Sequence, residues 1–255
     1  MGNTDMADIV TPWQAWALLA LYVVWAALLL GGFALGRVTP DGAQRMPVWT
    51  RMASSVTLTL IAWLSVYFLR ATPLGRFALL IAFGMSLGLL GDLILAQVIP
   101  FPQHVLGGIA AFGLGHIAYL AAAIGLARKF GLAAPGPLWS MLALWLAIGA
   151  AGWYLVVFRG QDPTVIVWAA LPYALLLATV VGIFTGAALQ SSVVTPAAIG
   201  AFLFLVSDLI LASHLFAGRS FPLIGDVIWL TYGPGQALIV GSVAIIALYS
   251  GIGLG

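Results

Sequence analysis

Apolar residues occupy this chain in blocks of about twenty, separated by short polar or proline-bearing pieces. A helix rises about 1.5 Å per residue, so roughly 20 apolar residues carry it across the hydrocarbon core of a bilayer. Eight such blocks can be read: Trp13–Leu35, Met52–Leu69, Phe77–Val98, Val105–Ala127, Leu138–Phe158, Thr164–Leu189, Val194–Ala217 and Leu223–Tyr249. Pro73, Pro102, Pro137, Pro163, Pro196 and Pro222 fall just before or just inside the start of a block, where a helix tolerates the missing amide hydrogen. The connections are short, so consecutive helices should pack antiparallel. Two prolines are interior. Pro172 should kink the sixth span, and Pro234, within Tyr232-Gly-Pro-Gly-Gln236, should break or bend the eighth. A bend at membrane depth is tolerated only where the freed carbonyls find partners or line a cavity. The pattern predicts an all-α, eight-span transmembrane helical bundle that takes up residues 1–255 as a single integral membrane domain.

Composition narrows the picture by exclusion. Of 255 residues, 63% are hydrophobic and 6% charged, against about 25% charged in an ordinary soluble domain. So little charge cannot clothe a hydrated surface, which excludes a soluble globular protein, a disordered one and a coiled coil. The net charge of +2 includes no basic stripe, so no nucleic-acid partner is expected. With no Cys, there is no disulfide, thiolate zinc site, iron–sulfur cluster or thiol nucleophile. The N-terminus carries Asp5 and Asp8 and no base before the first apolar block. That is the reverse of a secretory signal, so the first block is read as a retained span. The location expected is an integral multi-pass membrane protein, of the cell membrane if the source is bacterial.

The bases do not orient it. Side A, the side of the 1–2, 3–4, 5–6 and 7–8 loops, carries Arg37, Arg45, Arg51, Arg159 and Arg219. The other side, side B, carries Arg70, Arg76, Arg128 and Lys129. Five against four is too even for the positive-inside rule to choose between them. A short repeat is more telling: Asp92-Leu-Ile-Leu-Ala96 recurs as Asp208-Leu-Ile-Leu-Ala212, four spans apart. It raises two parallel four-helix halves, 1–130 and 131–255, against a chance recurrence of apolar letters.

All seven acids are Asp, and three of them, Asp92, Asp208 and Asp226, lie within spans. An ionised Asp at a span centre costs about 2.5–3.5 kcal/mol on insertion scales. At about 1.5 Å per residue, Asp92 and Asp208 lie roughly 10 Å from side A and Asp226 about 5 Å from it. One pocket opening to that side can hold all three. Each also has a plain structural role open to it. Asp226 is near a span start, where it complements the helix dipole. Asp92, Asp208, Tyr232 and Gln236 can serve as hydrogen-bonded glue between helices. His116, near the middle of span four, reads either as a core histidine or as a partner of the two carboxylates. His214, seven residues after Ser207, reads as interfacial. A retinal Schiff base is discarded because the only Lys is Lys129, in a loop. A zinc site lacks a convincing donor set, and neither a metal nor a cofactor is expected.

At these residues the chain resembles the YhhN-like lysoplasmalogenase family. The likeness rests on Gly91-Asp92 late in span three, Gly115-His116-Ile-Ala-Tyr119 in span four, Ser207-Asp208 late in span seven, and Tyr232 with Gln236 in span eight. Span count and length agree, so it covers nearly the whole chain; the Gly-Pro-Gly between Tyr232 and Gln236 departs from it. The resemblance implies hydrolysis of the vinyl ether bond of lysoplasmalogens, membrane lipids, to a fatty aldehyde and glycerophosphoethanolamine or glycerophosphocholine.

That chemistry needs a proton donor for the carbon beta to the ether oxygen, a base for water, and negative charge near the resulting oxocarbenium ion. Two carboxyls close together divide these tasks, one protonated and one not. Asp92 and Asp208 are the expected pair, with no preference for which is the acid, and His116 is expected to orient water or share the proton transfer. Tyr119, Ser207, Tyr232, Gln236 and Asp226 are candidates for contact with substrate. Arg219, and with it Arg51, is the candidate for the substrate phosphate. The runner-up function is a small-molecule or proton-coupled transporter, since parallel repeats, intramembrane Asp and His, and a broken helix occur there too. A carrier would place its site near the midplane, whereas these Asp residues gather toward side A. A scaffold without chemistry is a third reading. Oligomeric state is not legible.

Overall fold

The computed structural model describes residues 11–162 and 164–250; Asp5, Asp8 and Pro163 lie outside the described residues. The described chain is an all-α bundle. Its helices are α1 (Pro12–Leu35), α2 (Val48–Leu69), α3 (Gly75–Leu95), α4 (His104–Lys129), α5 (Pro135–Gly152), α6 (Val165–Ala188), α7 (Thr195–Leu215) and α8 (Ile224–Ser250). A π-helical turn, Trp153–Phe158, prolongs α5, and a short 3₁₀ turn, Ser192–Val194, leads into α7. With these turns counted, eight helices are long and apolar enough to cross a membrane. The chain is a multi-pass membrane protein.

Sequence neighbours pack as hairpins, α1 with α2, α3 with α4, α5 with α6 and α7 with α8, and α8 also touches α1, α2 and α3. In lipid there is no hydrophobic drive between helices, so close packing of small residues does the work. The ring of Phe112 covers Gly91, where a Cβ would meet it at 2.6 Å. Backbones of α7 and α8 pass at Gly200 and Gly235, where a Cβ on Gly235 would lie 2.9 Å from the Gly200 carbonyl oxygen.

The differences from expectation are local. α8 is one continuous helix through Pro234, so of the expected break or bend there is no break; α6 likewise stays helical through Pro172. Neighbours hold the helix on both sides of Pro234: Gly233 seats Leu29 of α1 and Gly235 meets α7. Proline inside a buried span is tolerated under such support. α2 starts at Val48, so Arg51 stands in its first turn rather than before it. The π turn after α5 has no signature in the apolar pattern.

Loops on side A are tied together. The amide of Leu223 donates to the Gly42 carbonyl and that of Gly225 to the Ala43 carbonyl, each at 2.9 Å. Asp226, in the first turn of α8 and 1% exposed, takes the amide hydrogens of Arg45 and Met46 on its two carboxylate oxygens at 2.6 and 2.7 Å. The α1–α2 loop is thereby fixed to the start of α8. On side B, Gln190 joins the α6–α7 connection to the α4–α5 loop: its side-chain amide donates to the Leu132 carbonyl at 3.0 Å, and its Oε1 accepts from the Ala134 amide at 3.0 Å.

Candidate active site

α3 and α7 each bring one carboxylate to the same cavity. It has a volume of about 730 Å³ and opens at side A, and both Asp92 and Asp208 line it. Ser207 and Tyr232 line it as well. Nearer the loops its wall includes Arg37, Arg45, Arg51 and Asp41. The Asp41 carboxyl is held below the usual carboxylate range, first by the Thr39 hydroxyl and then by the Ala43 amide. This loop tie is therefore intact at neutral pH and fades only as pH falls below that range.

A second, narrow groove of about 100 Å³ lies between α4, α5 with its π turn, α6 and α7. Asp208 and Tyr173 bring carboxyl and hydroxyl groups to a wall otherwise built of aliphatic residues, small residues, phenylalanines and Trp153. Cavity and groove share Leu95, Phe112, Asp208 and Leu211. These four residues form a neck, and Asp208 borders both sides of it.

The two carboxylates sit in different hydrogen-bond settings. Oδ2 of Asp92, a residue 5% exposed, accepts from the Ser55 hydroxyl at 2.6 Å and from the Tyr232 hydroxyl at 3.0 Å. Behind Tyr232, the Gln236 amide donates to the Tyr232 hydroxyl oxygen at 3.3 Å, and the Tyr119 hydroxyl donates to Gln236 Oε1 at 2.7 Å. Every donor in this chain points toward Asp92, and the amide of Gln236 sets that polarity. Gly88 leaves room for it, since a Cβ there would lie 2.9 Å from Gln236 Nε2. Asp208 Oδ2 accepts from the Tyr173 hydroxyl. The same hydroxyl lies 3.4 Å from His116 Nε2. His116 is 1% exposed, packs on Phe204 at 4.6 Å between ring centroids, and its Nδ1 is buried without a partner among the described residues.

Residues 46–243 match the YhhN family. The chain belongs to the YhhN family. No curated protein and no solved structure matches the chain. The matched span, more than three-quarters of the chain, holds both carboxylates and every side chain of the two hydrogen-bond chains. In this YhhN-family bundle, Asp92, Asp208, Ser207 and Tyr232 come together on the cavity wall. Tyr119, Gln236 and His116 stand behind that wall: they reach the carboxylates only through Tyr232 and Tyr173. The Ser207 hydroxyl donates to the Ile228 carbonyl at 3.1 Å. Asp226 is occupied with the loop amides, and Arg219 does not line the cavity. Among the described residues no three carboxylates or histidines converge as a metal site would need.

Ser55 and Tyr173 carry no distinguishing signal in the sequence. Ser55 is one of six Ser and Thr residues in α2, and the other five hydroxyls donate to backbone carbonyls about a turn back. Tyr173 follows Pro172 in α6 and reads as packing. Only the fold sets their hydroxyls against Asp92 and Asp208.

Proposed function

We propose that this protein hydrolyses the vinyl ether bond of lysoplasmalogens, releasing a fatty aldehyde and glycerophosphoethanolamine or glycerophosphocholine. One observation carries the reading: Asp92 and Asp208 line a single cavity open at side A, and an apolar groove meets it at Asp208. A lipid with one chain and a polar head divides the same way: the first carbons of the chain in the groove, the head in the cavity and the ether bond at the neck.

That division assigns the roles. The carbon to be protonated belongs to the chain, so Asp208, which borders the groove, is the acid. Asp92, which accepts two hydroxyl hydrogens on one oxygen, is the carboxylate that activates water. Asp208 gives its proton to the carbon beta to the ether oxygen, and the pair of C=C electrons forms the new C–H bond. Water adds to the oxocarbenium carbon and gives a proton to Asp92. The hemiacetal then collapses: its hydroxyl proton returns to Asp208, and Asp92 protonates the departing glycerol oxygen. Both carboxyls end as they began, and the sum is ether plus water to aldehyde plus alcohol. The charge of Asp92 stabilises the cation, a task in which Tyr232 and Ser55 hold its oxygen in place.

The test is aldehyde release from a purified lysoplasmalogen. Asp92→Asn and Asp208→Asn should each lower the rate by about 10²–10⁴, the span of a lost general acid or base. Full activity in both variants refutes the carboxylate pair, and no aldehyde from the wild type refutes the function. The transporter reading loses its broken helix, because α8 is continuous through Pro234. We place the enzyme in the cell membrane if the source is bacterial, drawing substrate from the leaflet on side A.

A further inference from the structure

Two arginines on the cavity wall are held without being satisfied. Arg45 belongs to the α1–α2 loop and Arg51 to the first turn of α2, and both line the cavity that holds the carboxylates. The Nε atom of each is buried with no hydrogen-bond partner among the described residues. A buried donor left unpaired costs about 1–3 kcal/mol, and more on a charged group, so such a pair is costly unless something fills the space beside it. Aromatic rings hold both groups. The Arg45 guanidinium carbon lies 5.7 Å from the Phe33 ring centroid, and that of Arg51 5.5 Å from the Trp229 centroid. A ring face fixes a guanidinium plane and leaves its in-plane N–H donors free.

The backbone beneath Arg45 is equally fixed. Its amide and that of Met46 go to Asp226, and the Ala43 carbonyl takes the Gly225 amide. Arg51 lines the same cavity as Asp92, from the first turn of α2. Asp41, the acid at the loop end of this wall, is engaged by Thr39 and Ala43. Two rigid cationic forks therefore stand above the carboxylates, with donors to spare.

We infer that Arg45 and Arg51 form a clamp for the phosphate oxyanion of a glycerophospho-headgroup. Paired N–H donors match two oxygens of a phosphate ester. The clamp replaces Arg219 as the phosphate contact and makes the enzyme select phosphate-bearing lipids over neutral alkenylglycerols of the same chain. The substrate preference rests on the hydrolase reading; anion binding does not.

Two experiments separate the two claims. In the first, aldehyde release is compared for a lysoplasmalogen and for an alkenylglycerol without phosphate. The wild type should favour the phosphate lipid in kcat/KM by about tenfold or more, as expected for a lost charge-assisted pair. Arg45→Gln and Arg51→Gln should lose that preference through KM, Arg51→Lys should keep part of it, and Arg159→Gln, a matched loss of charge on the same side, should keep all of it. A wild type that treats both lipids alike overturns the clamp and leaves the hydrolase standing. In the second, thermal unfolding is followed with glycerophosphoethanolamine or inorganic phosphate added, with no turnover needed. Glycerophosphoethanolamine should raise Tm in the wild type and not in Arg45→Gln or Arg51→Gln. No rise in the wild type overturns the clamp, whatever the activity. An equal rise with inorganic phosphate overturns its assignment to a lipid headgroup.

Discussion

A phenol has one hydrogen, and Tyr173 stands between two groups that can use it. With Asp208 ionised, Tyr173 donates to Asp208, and His116 Nε2 must carry a hydrogen for its 3.4 Å contact to be a hydrogen bond. With Asp208 protonated, it donates to Tyr173, and Tyr173 donates to His116 Nε2, whose hydrogen must then stand on Nδ1. The Tyr173 hydroxyl can thus pair with Asp208 in either protonation state by turning. The chain behind Asp92 cannot, because the Gln236 amide fixes its direction. Tyr173→Phe keeps the ring and removes the switch. Aldehyde release should fall by about tenfold or more, while Tm drops only a few degrees, as expected for one hydrogen bond of about 1 kcal/mol. Unchanged turnover would reduce Tyr173 to a packing residue. Gly88→Ala tests the other chain: its methyl group presses on Gln236 Nε2, which is pinned from both sides, and should lower activity and Tm together.

Helices and loops carry the next level. The π turn Trp153–Phe158 puts Trp153 and Val157 on the groove wall beside Gly149 and Gly152. A Cβ at Gly152 would meet Leu209 Cδ2 at 2.8 Å, and both residues line the groove. Gly152→Val should therefore shift the chain-length preference toward shorter alkenyl chains, measured as the ratio of aldehydes released from a mixed lipid pool; an unchanged ratio would separate the groove from the substrate chain. Asp226→Ala leaves two loop amides without their acceptor, at roughly 1–3 kcal/mol each, and should lower Tm while loosening the side A loop. Eight spans are legible in the sequence because the bilayer imposes length and polarity on every block. Asp92 and Asp208 are legible because a carboxylate in a span is conspicuous. Tyr173, Ser55 and the π turn are hidden because their letters suit any apolar span, and only the packing of α2 on α3 and of α6 on α7 gives their hydroxyls a purpose. Arg219 and Arg51 look alike in the sequence, and the tie between Asp226 and the α1–α2 loop separates them.

Taken whole, the described bundle places its intramembrane carboxylates, Asp92, Asp208 and Asp226, in the half-thickness toward side A. The chain lacks Cys, so single cysteines at Gln161 and Thr72, on side A and side B loops, report orientation without background. In proteoliposomes, aldehyde release should track the fraction of molecules whose Gln161→Cys label is reachable from the side to which lipid was added. Activity indifferent to that fraction would contradict an opening at side A. The neck of Leu95, Phe112, Asp208 and Leu211 has one more consequence. Under the proposed hydrolysis, cleavage at that point would leave two products that no longer belong together: one dissolves in hydrocarbon, the other in water. The apolar groove and the cavity open at side A would give each its own way out. On that reading the molecule would sort as well as catalyse, delivering a reactive aldehyde into the bilayer and a soluble phosphoester to the aqueous face.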